Sequence, residues 1–237
     1  LAEPTAVSID MAAVADVAAR AGLLFAEAYM YRCHPQIARL LEILKSGEIG
    51  TPRHIRAQFG FNAGFNPASR LYDRALGGGG IMDVGGYPVS LARLVAGAAV
   101  GRAFADPVTV KGSGIVGQSG VDEVAYGLLG FAGGFTAEVA CAIARTMDNR
   151  AVIEGDKGRI ELVDPWVPGR NAGPSDATIS VTVGGETRVE VLRSPQHLFA
   201  FEAELFSRTI AEGATEAPFP ALSPADSLGN AVVLDRW

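Results

Sequence analysis

The sequence predicts an α+β fold, and three observations carry that prediction. Helical periodicity dominates before Gly97 and returns at the C-terminal end, while the stretch between is mostly strand pattern. Glycine pairs such as Gly133-Gly134 and Gly184-Gly185 join those strands as hairpins, which makes them antiparallel. The opening differs: an amphipathic helix followed by a short apolar run reads as half of a parallel crossover unit.

The first helix is expected over 8–21. Ser8 can accept from free amides at its start, Asp10 complements the positive helix end, Ile9, Val14, Val17, Ala18 and Ala21 recur at helical spacing, and Gly22 stops it. Residues 23–28, apolar until Glu27, suit a strand covered on both sides. Pro35 then opens a second helix, with His34 as its cap and Ile37, Leu40, Leu41 and Leu44 on one face, until Ser46-Gly47. From Pro52 the period changes to two, Ile55, Ala57, Phe59 and Phe61 facing one way and His54, Arg56 and Gln58 the other. Residues 62–80 form a long polar, glycine-rich connection of the kind that carries function. Helical spacing resumes over 81–95 and is expected to stop at Gly97. Strands follow at 108–110, 121–131, 135–142, 151–154, 159–163, 178–183 and 187–191. Leu198, Phe201, Leu205 and Ile210 mark a helix ending at Gly213, and Ser223-Pro224 with Asp226 opens the last one.

Composition narrows the function. In 237 residues, 49% hydrophobic and 19% charged, the chain can bury a core. The net charge is −6 and only Lys45, Lys111 and Lys157 are lysines, so no basic stripe serves a nucleic acid. Asp10, Asp16, Arg20 and Glu27 interrupt the apolar stretches, which speaks against a membrane. Cys33 and Cys141 lack metal-ligand spacing and are too few for a disulfide framework, so a cytoplasmic location is expected and no metal site.

The segment that can carry chemistry runs from Gly77 through Asp83 and Tyr87 to Pro88. Asp83 and Tyr87 lie four apart on a helix, so carboxylate and phenol project one turn from each other. The carboxylate can accept from vicinal hydroxyls while the phenol exchanges a proton, provided a nearby cation lowers its pKa. On the residues alone the bland reading stands beside this one: Asp83 caps the helix and Tyr87 fills core. The four glycines at 77–80 could cradle a phosphate, but no P-loop lysine follows, and close backbone approach to the sheet is favoured. Arg32 and Arg70 are candidates to bond substrate hydroxyls; the three histidines have no ligand spacing, and Trp166 and Trp237 read as packing residues.

Residues 27–36, Glu-Ala-Tyr-Met-Tyr-Arg-Cys-His-Pro-Gln, followed by the block 77–88 and the turn 154–160, resemble the Gfo/Idh/MocA oxidoreductases. Asp83-Val84-Gly85-Gly86-Tyr87 is similar to the tyrosine form of the family signature, found in its dihydrodiol and xylose dehydrogenase-like branch. The resemblance implies a Rossmann domain for NAD or NADP, then an α+β domain whose open, predominantly antiparallel sheet, covered by helices on one face, holds substrate and forms a homo-oligomer. Residues 1–28 are then a C-terminal remnant of the Rossmann domain, and 29–237 the substrate and oligomerisation domain. The chain by itself would lack the cofactor half and be inactive.

The family's E-K-P motif would fall at Ala2-Glu3-Pro4, which places Glu3 and Pro4 beside the cofactor. No lysine stands there: either Glu3 replaces it or one is missing before Pro4. Such a lysine would stabilise an alkoxide-like oxygen and lower the pKa of Tyr87. The implied activity is hydride transfer on a sugar or other polyol, with Tyr87 and Asp83 as catalytic residues. Two alternatives are a non-catalytic binding or dimerisation module and an NAD-dependent glycosidase.

Overall fold

The computed structural model describes residues 7–169 and 173–237. Its centre is one sheet of eight strands, β1 (Pro52–Gly60), β2 (Pro107–Val116), β3 (Asp122–Phe131), β4 (Thr136–Ala142), β5 (Arg150–Gly155), β6 (Gly158–Val163), β7 (Ala177–Val183) and β8 (Glu186–Leu192). They lie in the order β2-β3-β4-β1-β5-β6-β7-β8. β1 runs parallel to β4, with Ala57 opposite Val139, and the other neighbouring pairs are antiparallel. The predominantly antiparallel α+β sheet is therefore as the sequence predicts. At the β7–β8 hairpin Gly184 and Gly185 both take positive φ, 60° and 86°, which the tight turn demands.

Period-two alternation decides which face is dry. Ile55, Ala57 and Phe59 of β1, Leu129 and Phe131 of β3, and Ile153, Ile160 and Ile179 are buried under helices, while Arg56, Tyr126, Leu128 and Glu138 point the other way. Helix α3 (Gly86–Ala99) lies over β1 and β4 with Leu91, Leu94 and Val95 buried, flanked by α2 (Pro35–Ser46) near β7 and α5 (Pro224–Arg236) near β2. α4 (Leu198–Ala211) rests on the short turn Met30–Cys33, and α1 (Val7–Ala21) on α5.

Local capping follows the sequence at two of these helices. His34 accepts from the Gln36 amide at the start of α2, and Ser223 Oγ from the Asp226 amide at the start of α5. At α1 it does not. Ser8 lies inside the helix, and the amides of Val7 and Ser8 donate to the carboxylate of Asp235, 2.8 and 2.9 Å away. The apolar side chains of α1 are not buried either; Ile9, Val14 and Val17 are exposed. Residues 23–28 form no strand, because apolar patterning reports cover and not a ladder partner. Nor does Gly97 end α3, which runs on to Ala99. That glycine is a contact point, since a Cβ there would lie 2.4 Å from the Phe104 backbone. β2 is longer than predicted, pairing with β3 as far as Val116, and Gly112, like Gly127 on β3, leaves room for the Trp237 ring.

The helix layer contains a buried ionic node. Asp226 is bonded by Arg32 through Oδ2 at 2.9 Å and by Arg93 through Oδ1, and Arg93 also reaches Asp106 at 2.7 Å. Both guanidiniums are fully enclosed.

Candidate active site

The helical pattern predicted over 81–95 has a break in it. Ile81–Gly85 forms one π turn, and α3 begins directly after it. Such widened single turns are frequent at functional sites. Asp83 sits on this turn and Tyr87 in the first turn of α3, so the pair spans the junction of two helical geometries.

Asp83 is nearly buried, and its Oδ1 accepts from Arg70 Nη2 at 2.7 Å. Arg70 comes from the short turn Arg70–Tyr72 in the long connection and is mostly exposed, so one charge is held by the fold and the other by solvent. The structure thus brings Arg70 to Asp83, with Tyr87 four residues further along the chain. The Tyr87 ring is walled by Tyr29, Phe59, Tyr31 and Trp166, at centroid distances of 4.9, 5.2, 5.8 and 6.3 Å. Its hydroxyl donates toward Met30 Sδ at 3.4 Å, a weak acceptor.

The neighbouring phenols have internal duties. Tyr29 Oη accepts from Asn230 Nδ2 at 3.1 Å, and Tyr31 Oη bonds Ser90 Oγ at 2.6 Å. Burial holds Tyr29 well above the ordinary phenol range and raises Tyr31 as well, so both stay neutral. Ser90 Oγ donates to the Tyr87 carbonyl at 2.9 Å, which ties the Tyr31 hydroxyl to the backbone of the site.

Arg32 is a correction. Its Nε donates to Pro220 O at 2.7 Å, Nη1 to Ser90 O at 3.2 Å and Nη2 to Asp226, so its fork is spent on the fold and it faces no substrate. Glu3 and Pro4 lie outside the described residues. The three lysines stand in the last turn of α2, on β2 and in the β5–β6 turn. His34 is held at 2.8 Å by the Ser175 carbonyl and lowered by burial, His54 bonds Thr136, and His197 stacks on Phe199. Trp166 donates to Gln58 O at 2.8 Å as a packing residue does. Burial pushes the Cys33 thiol up to about 12 and Cys141 higher still.

Sequence reasoning did not foresee the aromatic wall. Its signal was Tyr29 and Tyr31 spaced two apart beside a phenylalanine-bearing strand. It also passed over a Gly-x-Gly-x-x-Gly at 112–117, and the structure shows why that motif holds no phosphate: five of its residues lie within β2, where the glycines admit Trp237 and the neighbouring strand. Among the described residues no strand leads through a glycine loop into a helix in the way a dinucleotide pyrophosphate needs. The described residues therefore do not account for dinucleotide binding. Among them there is also no group of three His, Cys, Asp or Glu that could hold a metal, and no helix long and apolar enough to cross a membrane.

A hollow of about 770 Å³ lies on the open face of the sheet, lined by Arg56, Lys111, Tyr126, Glu138, Arg150 and Glu161 among others. It is separate from Asp83 and Tyr87, which lie on the helical side.

Comparison with known proteins shows a family. The model described as the GFO/IDH/MocA C-terminal domain matches residues 37–161, more than half of the chain. Trans-1,2-dihydrobenzene-1,2-diol dehydrogenase of Mus musculus is 31% identical over 163 residues, 68% of this chain and 46% of that protein. D-xylose 1-dehydrogenase (NADP(+)) 2 of Haloferax volcanii is 30% identical over 212 residues, 89% of this chain and 61% of that protein. The chain thus spans about half to three fifths of these two relatives. The expectation of a chain inactive by itself finds no support in them. In fold, it is similar to KijD10, a 3-ketoreductase from Actinomadura kijaniata solved with NADP and TDP-benzene, with a TM-score of 0.80 at 24% identity, covering 98% of this chain and 66% of that one.

Proposed function

The chain belongs to the GFO/IDH/MocA family, and from that premise we propose that it forms the substrate-binding and oligomerising part of a nicotinamide-dependent oxidoreductase acting on a sugar or related polyol. In this reading residues 1–28 are the end of a nucleotide-binding domain and 29–237 the substrate domain. The observation that carries it is Asp83 on the π turn and Tyr87 in the first turn of α3, with Arg70 fixing one carboxylate oxygen and an aromatic wall fixing the phenol. The hydride partner is NAD or NADP, whose chemistry is hydride exchange; the roles of this chain's residues concern hydroxyls and protons.

Arg70 occupies Oδ1 of Asp83, which leaves Oδ2 to accept from a substrate hydroxyl and orient the carbinol carbon. In reduction the Tyr87 phenol gives its proton to the carbonyl oxygen as that carbon takes the hydride, and in oxidation the phenolate takes the hydroxyl proton back. Its bond to Met30 sulfur is weak enough for a substrate oxygen to displace. The flanking phenols, held neutral, add no competing charge. The relatives' substrates, D-xylose and a dihydrodiol, both present vicinal oxygens to such a carboxylate.

The test is an assay of the intact gene product with D-xylose and with trans-1,2-dihydrobenzene-1,2-diol, each with NAD and NADP, following nicotinamide reduction. Turnover of at least one polyol is expected; none across a wider sugar panel overturns the reading.

The open sheet face is, in the same reading, the contact between copies. Tyr126 and Leu128 are exposed on it among charges of both signs, a composition that can meet its own two-fold mate. Light scattering should give at least a dimer at micromolar concentration and a monomer for Leu128→Glu.

A further inference from the structure

The π turn Ile81–Gly85 begins without any side chain of its own to cap it, since residue 80 is glycine. The first amides of a helical turn have no acceptor within it and must find one elsewhere. Here the acceptor comes from 41 residues further along the chain: Ile81 N donates to Asp122 Oδ2 at 2.8 Å, from the first residue of β3.

The glycine run is shaped around that carboxylate. A Cβ at Gly79 would lie 2.2 Å from Asp122 Oδ1, and one at Gly80 3.2 Å from Oδ2; Gly79 also holds φ 117°, which side-chain-bearing residues rarely adopt. The same run suspends the loop that carries Arg70. Gly79 N donates to Leu71 O and Gly78 N to Asp73 O, both at 2.9 Å, and a Cβ at Gly78 would collide with the carbonyls of Arg70 and Leu71 at 2.7 Å. One carboxylate therefore sits where the Asp83 turn meets the Arg70 loop. It also accounts for the glycine amides: those of Gly78 and Gly79 are taken by backbone carbonyls, and that of Gly80 faces the Asp122 carboxylate, which would repel a phosphate.

We propose that Asp122 is a positioning residue of the site, fixing the π turn that carries Asp83 and, through the glycine run, the meeting of Asp83 with Arg70. The inference rests on the functional reading of Asp83 and Tyr87 given above. It concerns a residue that touches neither substrate nor reacting atoms and acts through the backbone of the turn.

Two measurements test it on the intact gene product. In amide hydrogen exchange, Asp122→Ala should speed exchange at Ile81 by at least about tenfold and leave Ile153 and Ile160 in the sheet unchanged. Asp122→Asn keeps an accepting oxygen and should retain most of the protection. Unchanged exchange at Ile81 in the alanine variant overturns the proposal whatever the turnover, so its failure is separable from failure of the functional reading. In kinetics with D-xylose and NADP as the probe, Asp122→Ala should raise KM severalfold, Asp122→Asn should restore it to within about twofold, and Asp122→Ala should add nothing in an Asp83→Ala background. Effects that simply add would show that Asp122 stabilises the fold without placing Asp83, and would overturn it too.

Discussion

The helix layer and the open face of the sheet use the same residue types for opposite ends. In the helix layer Arg32 and Arg93 close on Asp226 without access to water, from 194 and 133 residues away in sequence. On the open face Arg56 pairs with Glu154 at 3.4 Å, and Arg150 with Glu161, around a hollow that solvent reaches. A buried pair, once formed, must not lose a member, because the remaining charge has no water to turn to. An exposed pair is nearly free to break. The lesson is that an arginine beside a carboxylate has no function of its own until its burial is known, and Arg32 and Arg70 show this within one chain.

The sharpest way to break the comparison is Asp226→Ala. It leaves the enclosed Arg32 guanidinium without a carboxylate and Arg93 with Asp106 alone, and should cost about 3–5 kcal/mol, lowering Tm on the order of 10 °C in thermal unfolding. A loss no larger than that of a surface pair would erase the distinction between the two regions.

Glu202 sharpens it from the other side, as a buried acid in the helix layer with no partner at its Oε1. Burial pushes its carboxyl up to about 7 from the usual 4.5. The folded protein then keeps a proton that the unfolded chain has shed, so this contribution is whole below pH 4.5 and is lost as pH rises through 7. Wild type should lose about 3 kcal/mol relative to Glu202→Gln across that window. Parallel Tm-against-pH curves for the two proteins would contradict the assignment.

The smallest effect belongs to the open face. Arg56→Ala removes an exposed pair and should cost about 0.5 kcal/mol or less, a Tm change near the error of the measurement.

What was legible in the sequence divides along similar lines. β1 was readable because Ile55, Ala57 and Phe59 alternate with polar residues, and the ends of α2 and α5 because His34, Gly47 and Ser223 act within their own turns. Local physics writes local signals. The strand expected over 23–28 failed because an apolar run says that something covers it, not that a neighbour pairs with it. The cap of α1 was misplaced because its acceptor, Asp235, lies at the far end of the chain. Asp226 was legible as a residue after a helix start, but its service to two arginines was not. At the site the Asp83–Tyr87 spacing was readable and the π turn beneath it was not, since that turn is fixed by Asp122, a residue no periodicity connects to it.

The central claim is that Tyr87 moves the substrate proton while Asp83 orients the hydroxyl. The direct test compares turnover and Tm of wild type with Tyr87→Phe in the intact gene product, using the polyol it oxidises best. The phenyl ring keeps its place against Tyr29 and Phe59, so Tm should stay within about 2 °C while turnover falls by roughly 10² to 10⁴. Wild-type turnover in that variant would remove Tyr87 from the chemistry and leave it a wall of the core.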